Sequence, residues 1–216
     1  GRRDAFNRET GEERRTWETF RGKIAIPEGK TWEDYVKLRW MEITCGEAPF
    51  MTSRYDTTTG RAIHIEDRIG FLDRKLRIVN ENTCNREDWF DAAVTAYQTS
   101  RAYEWQGDNL LLARESLLYT FIDNYEYKFG ERPDHELVRE IADIISWNVW
   151  QMDGLKGVIP NSCHDVENRN LYGEIERTPC PGCKTNNIHN HNGIPVLLKA
   201  FSSGNTYPFH LLSKKR

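Results

Sequence analysis

Long apolar segments are absent from this sequence, whose uninterrupted apolar runs cover only a few residues each. A helix that crosses a bilayer needs about 20 consecutive apolar residues, so the sequence predicts no membrane-spanning helix. A secretory signal, with a basic start followed by an apolar stretch, is not visible either. These two absences predict a cytoplasmic protein with no membrane partner.

A strong excess of charge is also lacking. The chain has 30 Lys and Arg against 33 Asp and Glu, a formal net charge of −3. No strong attraction to nucleic acid or to an anionic membrane follows from this balance, although it leaves room for a local basic face. The 5 cysteines are an odd number without a secretory signal, which argues for a reducing compartment and against a disulfide framework.

The chain does contain enough apolar material for a core. Its 216 residues are 38% hydrophobic and include 7 Trp, which predicts one folded domain with at most a small addition. Composition divides it into a charged N-terminal arm over residues 1–29, a main domain over 30–160 and a loop-rich appendage over 161–216.

Apolar spacing predicts three long helices. They cover residues 87–98, 108–130 and 134–145. In the first, Phe90, Ala93, Val94 and Tyr97 recur at i, i+3, i+4 and i+7, so this set is predicted to form the buried face.

Short segments rich in aromatic and β-branched residues predict strands at 40–45, 102–106 and 145–152. Strands that alternate with helices form a parallel sheet, so the predicted fold class is α/β. In open sheets of this class, ligands bind beyond the carboxyl ends of the strands.

An acidic residue stands at each of these predicted strand ends. Glu42 begins "EITCGEAPF", Glu104 begins "EWQGDNLLLAR", and Asp153 lies in "QMDGLK". A glycine follows each acid closely, at Gly46, Gly107 and Gly154. A carboxylate ahead of a glycine turn can accept two hydrogen bonds from a ribose diol, so the pattern indicates a nucleoside-like pocket.

The first of these segments resembles a motif of the S-adenosylmethionine-dependent adenine-N6 DNA methyltransferases of restriction–modification systems. That motif reads Asp-Pro-Thr/Ala-Cys-Gly-Ser-Gly-Ala-Phe. Here "EITCGEAPF" matches it at Thr44, Cys45, Gly46 and Phe50, with Glu42 in the place of the acid.

The second segment, "AYEWQGDNLLLARESLL", is similar to the family's Gly-Ile-Glu-Ile-Asp-Pro motif and the Ala-Arg that follows it. It keeps Glu104, Ala113 and Arg114. The third motif falls on "QMDGLK". The likeness covers most of residues 30–160 and is closest to proteins known as restriction endonuclease M subunits or fused restriction–modification methylases.

This resemblance implies a Rossmann-like methyltransferase sheet, in partial or truncated form, that binds S-adenosylmethionine. By the same resemblance Glu104 would hold the ribose hydroxyls, Trp105 would stack on the adenine ring and Asp153 would accept from the adenine amino group. The implied cofactor-binding residues are Glu42, Thr44, Cys45, Gly46, Glu104, Trp105, Asp153 and Gly154.

Two departures from the family pattern limit what the resemblance implies. Glu47 and Ala48 replace the family's Ser-Gly, and none of the 8 prolines is adjacent to another. The Asn-Pro-Pro-aromatic element that holds the flipped adenine is therefore missing. We expect no catalytic residue in this chain and expect DNA to be engaged through a separate segment or a restriction–modification partner subunit.

A Cys/His pattern occurs in the appendage. Cys180 and Cys183 form a Cys-x-x-Cys pair in "TPCPGCKTNNIHNHNG", His191 follows, and Cys163 precedes them by one loop. Zinc prefers four thiolate and imidazole ligands, and a closed site can fold a segment too small for its own core. The sequence therefore predicts a zinc knuckle, with a metal-free loop as the alternative.

Other interpretations of the chain remain open at this stage. Cys45 is predicted to pack beneath a ligand loop rather than to act as a reactive thiol, because nothing near it in sequence activates it. For the whole chain, a non-catalytic DNA- or partner-binding subunit with a zinc knuckle is one alternative function. An inactive remnant of a methyltransferase is another.

Overall fold

The computed structural model describes residues 5–9, 17–56 and 58–213. The α-helices within them are α1 (Trp32–Val36), α2 (Phe71–Asn82), α3 (Arg86–Gln98), α4 (Gly107–Phe129), α5 (His135–Asn148) and α6 (Pro181–Thr185). The strands are β1 (Asn7–Glu9), β2 (Trp17–Thr19), β3 (Trp40–Glu42), β4 (Ser100–Glu104), β5 (Val149–Gln151), β6 (Val166–Arg169), β7 (Ile175–Thr178), β8 (Leu197–Lys199) and β9 (Thr206–Pro208). The protein is thus a mixed α/β structure, as the sequence predicts.

The central feature is a parallel sheet of three strands in the order β3-β4-β5. Met41 lies opposite Arg101, and Tyr103 lies opposite Trp150. Helices α2 and α3 connect β3 to β4, whereas α4 and α5 connect β4 to β5. Because all three strands run the same way, their carboxyl ends meet at one edge of the sheet, and the predicted parallel arrangement is confirmed.

Hydrophobic cores lie on both faces of this sheet. Alternate residues of a strand point to opposite faces, and in β4 Ala102 belongs to the larger core while Tyr103 belongs to the smaller one. The larger core contains the apolar faces of helices α1 to α5. The smaller core brings Met152 together with Val196, Leu198 and Phe209 of the C-terminal segment. The appendage predicted from composition is therefore packed directly on the sheet.

The predicted strand over residues 145–152 is wrong for its first half. Helix α5 continues to Asn148, and β5 covers only Val149–Gln151. Ile145 is buried in the larger core, and the Asn148 side chain donates a 2.8 Å hydrogen bond to the carbonyl of Tyr97. A short apolar run fits a buried helix end as well as it fits a strand, and here the contact with α3 decides in favour of the helix.

Helix α2 was not expected from the sequence. Its buried face includes Lys75, which interrupts the apolar spacing that would otherwise mark a helix. The Lys75 ammonium is fully buried, and it donates to the carbonyl of Leu38 (2.6 Å) and to the hydroxyls of Thr99 (2.7 Å) and Ser100 (3.2 Å). A single lysine therefore joins α2 to the starts of β3 and β4.

Lys75 should give the protein a distinctive alkaline stability profile. Burial lowers the pKa of Lys75 from 10.5 to about 7. Between these values the unfolded chain holds a proton that the folded chain has released, so the free energy of unfolding rises with pH over that window. Lys75→Met should remove this rise. The difference in the free energy of unfolding between wild type and variant should change by at most about 1.4 kcal/mol per pH unit. Urea denaturation of both proteins at pH 7, 8 and 9 measures this difference. Parallel curves for the two proteins would contradict the assignment.

The predicted N-terminal arm contributes to the core within the described residues. Strands β1 and β2 form an antiparallel pair, and both Phe6 and Ile24 are buried in the larger core. Residues 1–4 and 10–16 of the predicted arm lie outside the described residues. Among the helices of the described ranges, none has the length and apolar character needed to span a membrane.

Candidate functional site

The loop after β3 begins at the carboxyl edge of the sheet with a tight turn. Cys45 N–H donates to the carbonyl of Tyr103 (2.9 Å), which keeps the chain beside β4 after β3 has ended. Gly46 then has a φ of 56° and Ala48 a φ of 63°. Positive φ is natural for glycine but costs about 1–2 kcal/mol for other residues. The loop is thus held in a conformation that its alanine does not favour.

Glu104, at the end of β4, connects the loop after β3 to the turn after β4 through hydrogen bonds. One carboxylate oxygen accepts from Gly46 N–H (2.7 Å) and the other accepts from Gln106 N–H (3.0 Å). The residue is only 8% exposed. Each oxygen keeps a second lone pair, so Glu104 organises the edge and can still accept a hydrogen bond from a ligand.

Glu42, at the end of β3, lies beside Glu104. Its Oε2 atom is buried and has no hydrogen-bond partner among the described residues. Burial, with a further contribution from the charge of Glu104, raises the pKa of Glu42 to about 7. A buried carboxyl oxygen without a partner is costly, and a donor from a bound ligand would relieve that cost.

Cys45 lies beneath this loop as a neutral thiol. The residue is buried, and its Sγ donates to the carbonyl of Gly46 (3.4 Å). Burial first, and then the charges of Glu42 and Glu104, raise the pKa of Cys45 to about 12. Because the thiolate is the reactive form, this environment agrees with a packing role and not with a nucleophile.

Large apolar side chains are exposed directly after the acids at the strand ends. Ile43 follows Glu42, Trp105 follows Glu104, and Leu155 lies two residues after Asp153; their exposed fractions are 44%, 43% and 85%. Thr44 is exposed as well. The edge therefore combines shielded carboxylates with open apolar surface.

Asp153 and Gly154 lie in the turn after β5, which reaches across the end of β4. A Cβ atom on Gly154 would lie 2.5 Å from Ile43 Cγ2, so a side chain at this position would have to displace that of the residue after β3. Asp153 is buried, and its oxygens are engaged within its own turn by Leu155 N–H (3.1 Å) and Lys156 Nζ (3.3 Å). Glu42 and Glu104 thus form a pair, whereas the contacts of Asp153 are local.

The four residues predicted as metal ligands converge in space. The Sγ atoms of Cys163, Cys180 and Cys183 and a ring nitrogen of His191 all lie within 4.8 Å of one another. The distances from His191 Nδ1 to these sulfur atoms are 3.6, 3.7 and 3.7 Å. The predicted set is therefore confirmed as a cluster that could hold a metal ion such as zinc.

The spacing of this cluster fits metal ligation better than hydrogen bonding. One imidazole nitrogen can make a single hydrogen bond in the ring plane, so it cannot satisfy three sulfur atoms at almost equal distances. In a tetrahedral zinc site with Zn–S of about 2.3 Å and Zn–N of about 2.0–2.1 Å, the sulfur–nitrogen separation is about 3.6 Å. The observed separations of 3.6 and 3.7 Å match this value.

Backbone geometry around α6 holds the ligands in place. A Cβ atom on Gly182 would lie 2.6 Å from His191 Cγ, so glycine lets the imidazole approach the Cys-x-x-Cys turn. The amide of Asn192 donates to Cys180 Sγ (3.4 Å). Such N–H groups around a thiolate orient it and stabilise its charge.

The cysteines of the cluster differ in acidity when no cation is present. Burial acts to raise the pKa of Cys180, but backbone N–H groups and His191 outweigh it and lower the pKa to about 6. For Cys163, burial and the hydrogen bonds with Cys180 and Cys183 raise the pKa to about 11. A divalent cation would remove this difference because it deprotonates each coordinating thiol.

Lys156 is a residue of the site that sequence reasoning missed. Its pKa is raised chiefly by the hydrogen bond to Asp153 and further by the charges of Cys183 and Cys163. The ammonium therefore pairs with the strand-end acid, 3.3 Å from Asp153 Oδ2. No sequence motif marks this role, although "DGLK" places a lysine one helical turn after the acid.

Comparison of the chain with protein-family models, with curated proteins and with solved structures gave no match.

Proposed function

We propose that this chain is the S-adenosylmethionine-binding portion of an adenine-N6 DNA methyltransferase of a restriction–modification system, with a Rossmann-like sheet. The observation that carries the proposal is the 2.7 Å hydrogen bond from Gly46 N–H to the Glu104 carboxylate. This bond joins the two segments that resemble the family's first and second motifs, at the carboxyl ends of adjacent parallel strands. Cofactors of this kind bind at that edge in open α/β sheets.

The loop conformation and the unpaired acid support the same proposal. Ala48 stands where the family has its second glycine, and it has a φ of 63°, a value typical of glycine. The buried oxygen of Glu42 has no hydrogen-bond donor among the described residues, and the exposed indole of Trp105 offers a face for an adenine ring. S-adenosylmethionine would supply the donor through its ammonium group or ribose diol, and it would supply the ring through its purine.

DNA is the proposed substrate, and methyl transfer requires more than the residues of this chain. No Asn-Pro-Pro-aromatic element occurs in the sequence, so a separate segment or a partner subunit of a restriction–modification system supplies the group that holds the adenine. The residues described above bind and orient the cofactor beside it.

Calorimetry with S-adenosylmethionine tests this proposal. The wild-type chain should bind one equivalent, and Trp105→Ala should weaken binding about tenfold, because stacking of a base on an aromatic ring contributes about 1–3 kcal/mol. Glu104→Gln should weaken it at least as much, since the amide presents a donor where the loop and the ribose both require an acceptor.

Two matched variants control for general effects. Tyr172→Ala removes an exposed aromatic ring at the far tip of the β6–β7 hairpin, and Glu115→Gln removes an exposed carboxylate on α4. Neither should change the affinity. Failure of the wild-type chain to bind S-adenosylmethionine would reject the proposal, as would equal affinities for wild type and Trp105→Ala.

We also propose that the cluster of Cys163, Cys180, Cys183 and His191 binds zinc. Thiolate ligands select soft or borderline metals, and a closed set of three thiolates and one imidazole is a structural zinc site. A second candidate function for the chain follows from this cluster, namely a non-catalytic subunit that docks DNA or a partner. A zinc-loaded chain that retains DNA at low salt, but binds no S-adenosylmethionine, would favour this second function.

A further inference from the structure

The turn after β5 is connected to the metal cluster by backbone hydrogen bonds. Asp153 N–H donates to the carbonyl of Val158 (2.8 Å), and Gly157 N–H donates to the carbonyl of Asp153 (2.8 Å), which closes the turn. Val158 then forms an antiparallel bridge with Pro195. The strand-end acid is therefore tied to the chain that leaves His191.

A second connection runs from this turn to Cys163. Ile159 N–H donates to the carbonyl of Ile194 (2.8 Å), and Ile194 N–H donates to Ser162 Oγ (3.0 Å). A Cβ atom on Gly193 would lie 3.1 Å from Cys163 Sγ. The segments that carry Cys163 and His191 thus pack closely against each other just beyond the turn.

Charge links the two sites as well. A divalent zinc ion with three thiolates and a neutral imidazole carries a net charge of −1, and the Asp153 carboxylate carries another. Lys156 Nζ lies 3.3 Å from Asp153 Oδ2. A cation paired with Asp153 offsets part of the repulsion between that carboxylate and a negatively charged metal centre.

We infer that the metal centre and the turn after β5 form one unit, in which Lys156 is a positioning residue that holds the Asp153 carboxylate within the turn. Metal binding fixes the segments around Cys163 and His191, and these in turn fix the turn that orients Asp153 at the strand ends. One consequence, that ligand affinity at this edge depends on the metal, rests on the proposed function.

Hydrogen exchange with and without metal tests the structural part directly. Removal of zinc by a chelator should accelerate exchange of the Asp153, Lys156 and Gly157 amides at least about tenfold, because local opening then needs less free energy. Amides in the middle of α4 should keep their protection. Unchanged exchange in the turn, equal acceleration in α4, or a chain that takes up no zinc would overturn the inference.

Lys156→Met tests the role of the ammonium that pairs with Asp153. With zinc bound, the variant should show faster exchange in the same turn and about tenfold weaker zinc binding, a change typical for groups that support metal ligands. Lys184→Met is the matched control, since it removes the same charge next to Cys183, whereas the ion pair with Asp153 is made by Lys156. Equal effects of the two substitutions would show that only net charge matters and would refute the positioning role.

Affinity for S-adenosylmethionine then separates this inference from the proposed function. Metal removal should weaken its binding about tenfold if both hold. If the metal-loaded wild type binds no S-adenosylmethionine, the proposed function fails, whereas the exchange experiment still decides whether zinc and Lys156 order the turn.

Discussion

Replacing Cys180 with serine is expected to abolish stoichiometric zinc binding. Cys180 is a buried member of the ligand set. Its Sγ accepts a hydrogen bond from the Asn192 backbone amide and lies 3.7 Å from His191 Nδ1. A serine hydroxyl is a poor ligand for zinc at neutral pH, and zinc binding to comparable small sites is worth about 10–16 kcal/mol. We expect bound zinc to fall from one equivalent to about a tenth of that or less, measured by elemental analysis after dialysis against a weak chelator.

Folding of the C-terminal segment should respond to the same substitution. The segment contributes Val196, Leu198 and Phe209 to the smaller core, and the proposed zinc ion would give order to its loops. Limited proteolysis should therefore cut Cys180→Ser within residues 160–200 at a protease concentration that leaves wild type intact. Cys84→Ser is the control, because Cys84 is an exposed free cysteine outside the cluster. Full zinc content in Cys180→Ser, or equal loss in Cys84→Ser, would contradict the proposed site.

The metal cluster was the part of the site that sequence reasoning could predict residue by residue. A Cys-x-x-Cys pair restricts its two sulfur atoms to one turn of chain, and only a few cysteines and histidines remain to complete four ligands. The predicted set of Cys163, Cys180, Cys183 and His191 is the set that converges.

The acids at the strand ends were predictable only in part. Their order along the chain placed Glu42 and Glu104 at one edge of a parallel sheet, and both lie there. Asp153 is at the same edge, but its carboxylate is engaged by Leu155 and Lys156. The bond from Leu155 N–H belongs to a turn that Asp before Gly favours, whereas the ion pair with Lys156 depends on a side-chain rotamer that the residue types do not specify.

The errors in the predicted fold arise from segments in which tertiary contacts override local preference. Helix α2 buries Lys75, which a search for apolar spacing reads as an exposed position, and its partners lie far away in sequence. The helix end at Asn148 is likewise stabilised by hydrogen bonds to the carbonyls of Tyr97 and Gln98. Neither set of contacts can be identified from the residues close to Lys75 or Asn148 in sequence.

Helix α3 shows the same limitation in the choice of its buried face. The predicted face contained Phe90, whereas the structure buries Trp89 fully and leaves Phe90 partly exposed. The predicted and observed sets share Ala93 and Tyr97, but the structure buries Trp89 and Ala96 where the prediction had Phe90 and Val94. Periodicity therefore identified half of the buried face, and the contacts of Trp89 with α4 decide the rest.

The difference between these faces predicts the largest stability effect in the helical layer. Trp89 packs against Phe121, Tyr125 and Phe129 with ring centroids 5.8, 5.5 and 5.8 Å away, and its indole N–H donates to Asn80 Oδ1 (2.7 Å). Trp89→Ala should therefore lower the free energy of unfolding by about 3–5 kcal/mol, the range for a large aromatic side chain removed from a core. Urea denaturation followed by circular dichroism measures this change.

Phe90→Ala is the matched comparison, because it truncates the neighbouring aromatic residue on the same helix. Phe90 is only partly buried, so its truncation removes less apolar contact and should cost about half as much or less. Trp89→Phe isolates the polar contribution: it keeps a ring in the core but leaves Asn80 Oδ1 without its donor, which should cost about 1–3 kcal/mol. If Phe90→Ala destabilised the protein more than Trp89→Ala, α3 would be rotated relative to the structure. The contacts between α3 and α4 in the structure, which support β4 and Glu104, would then be incorrect.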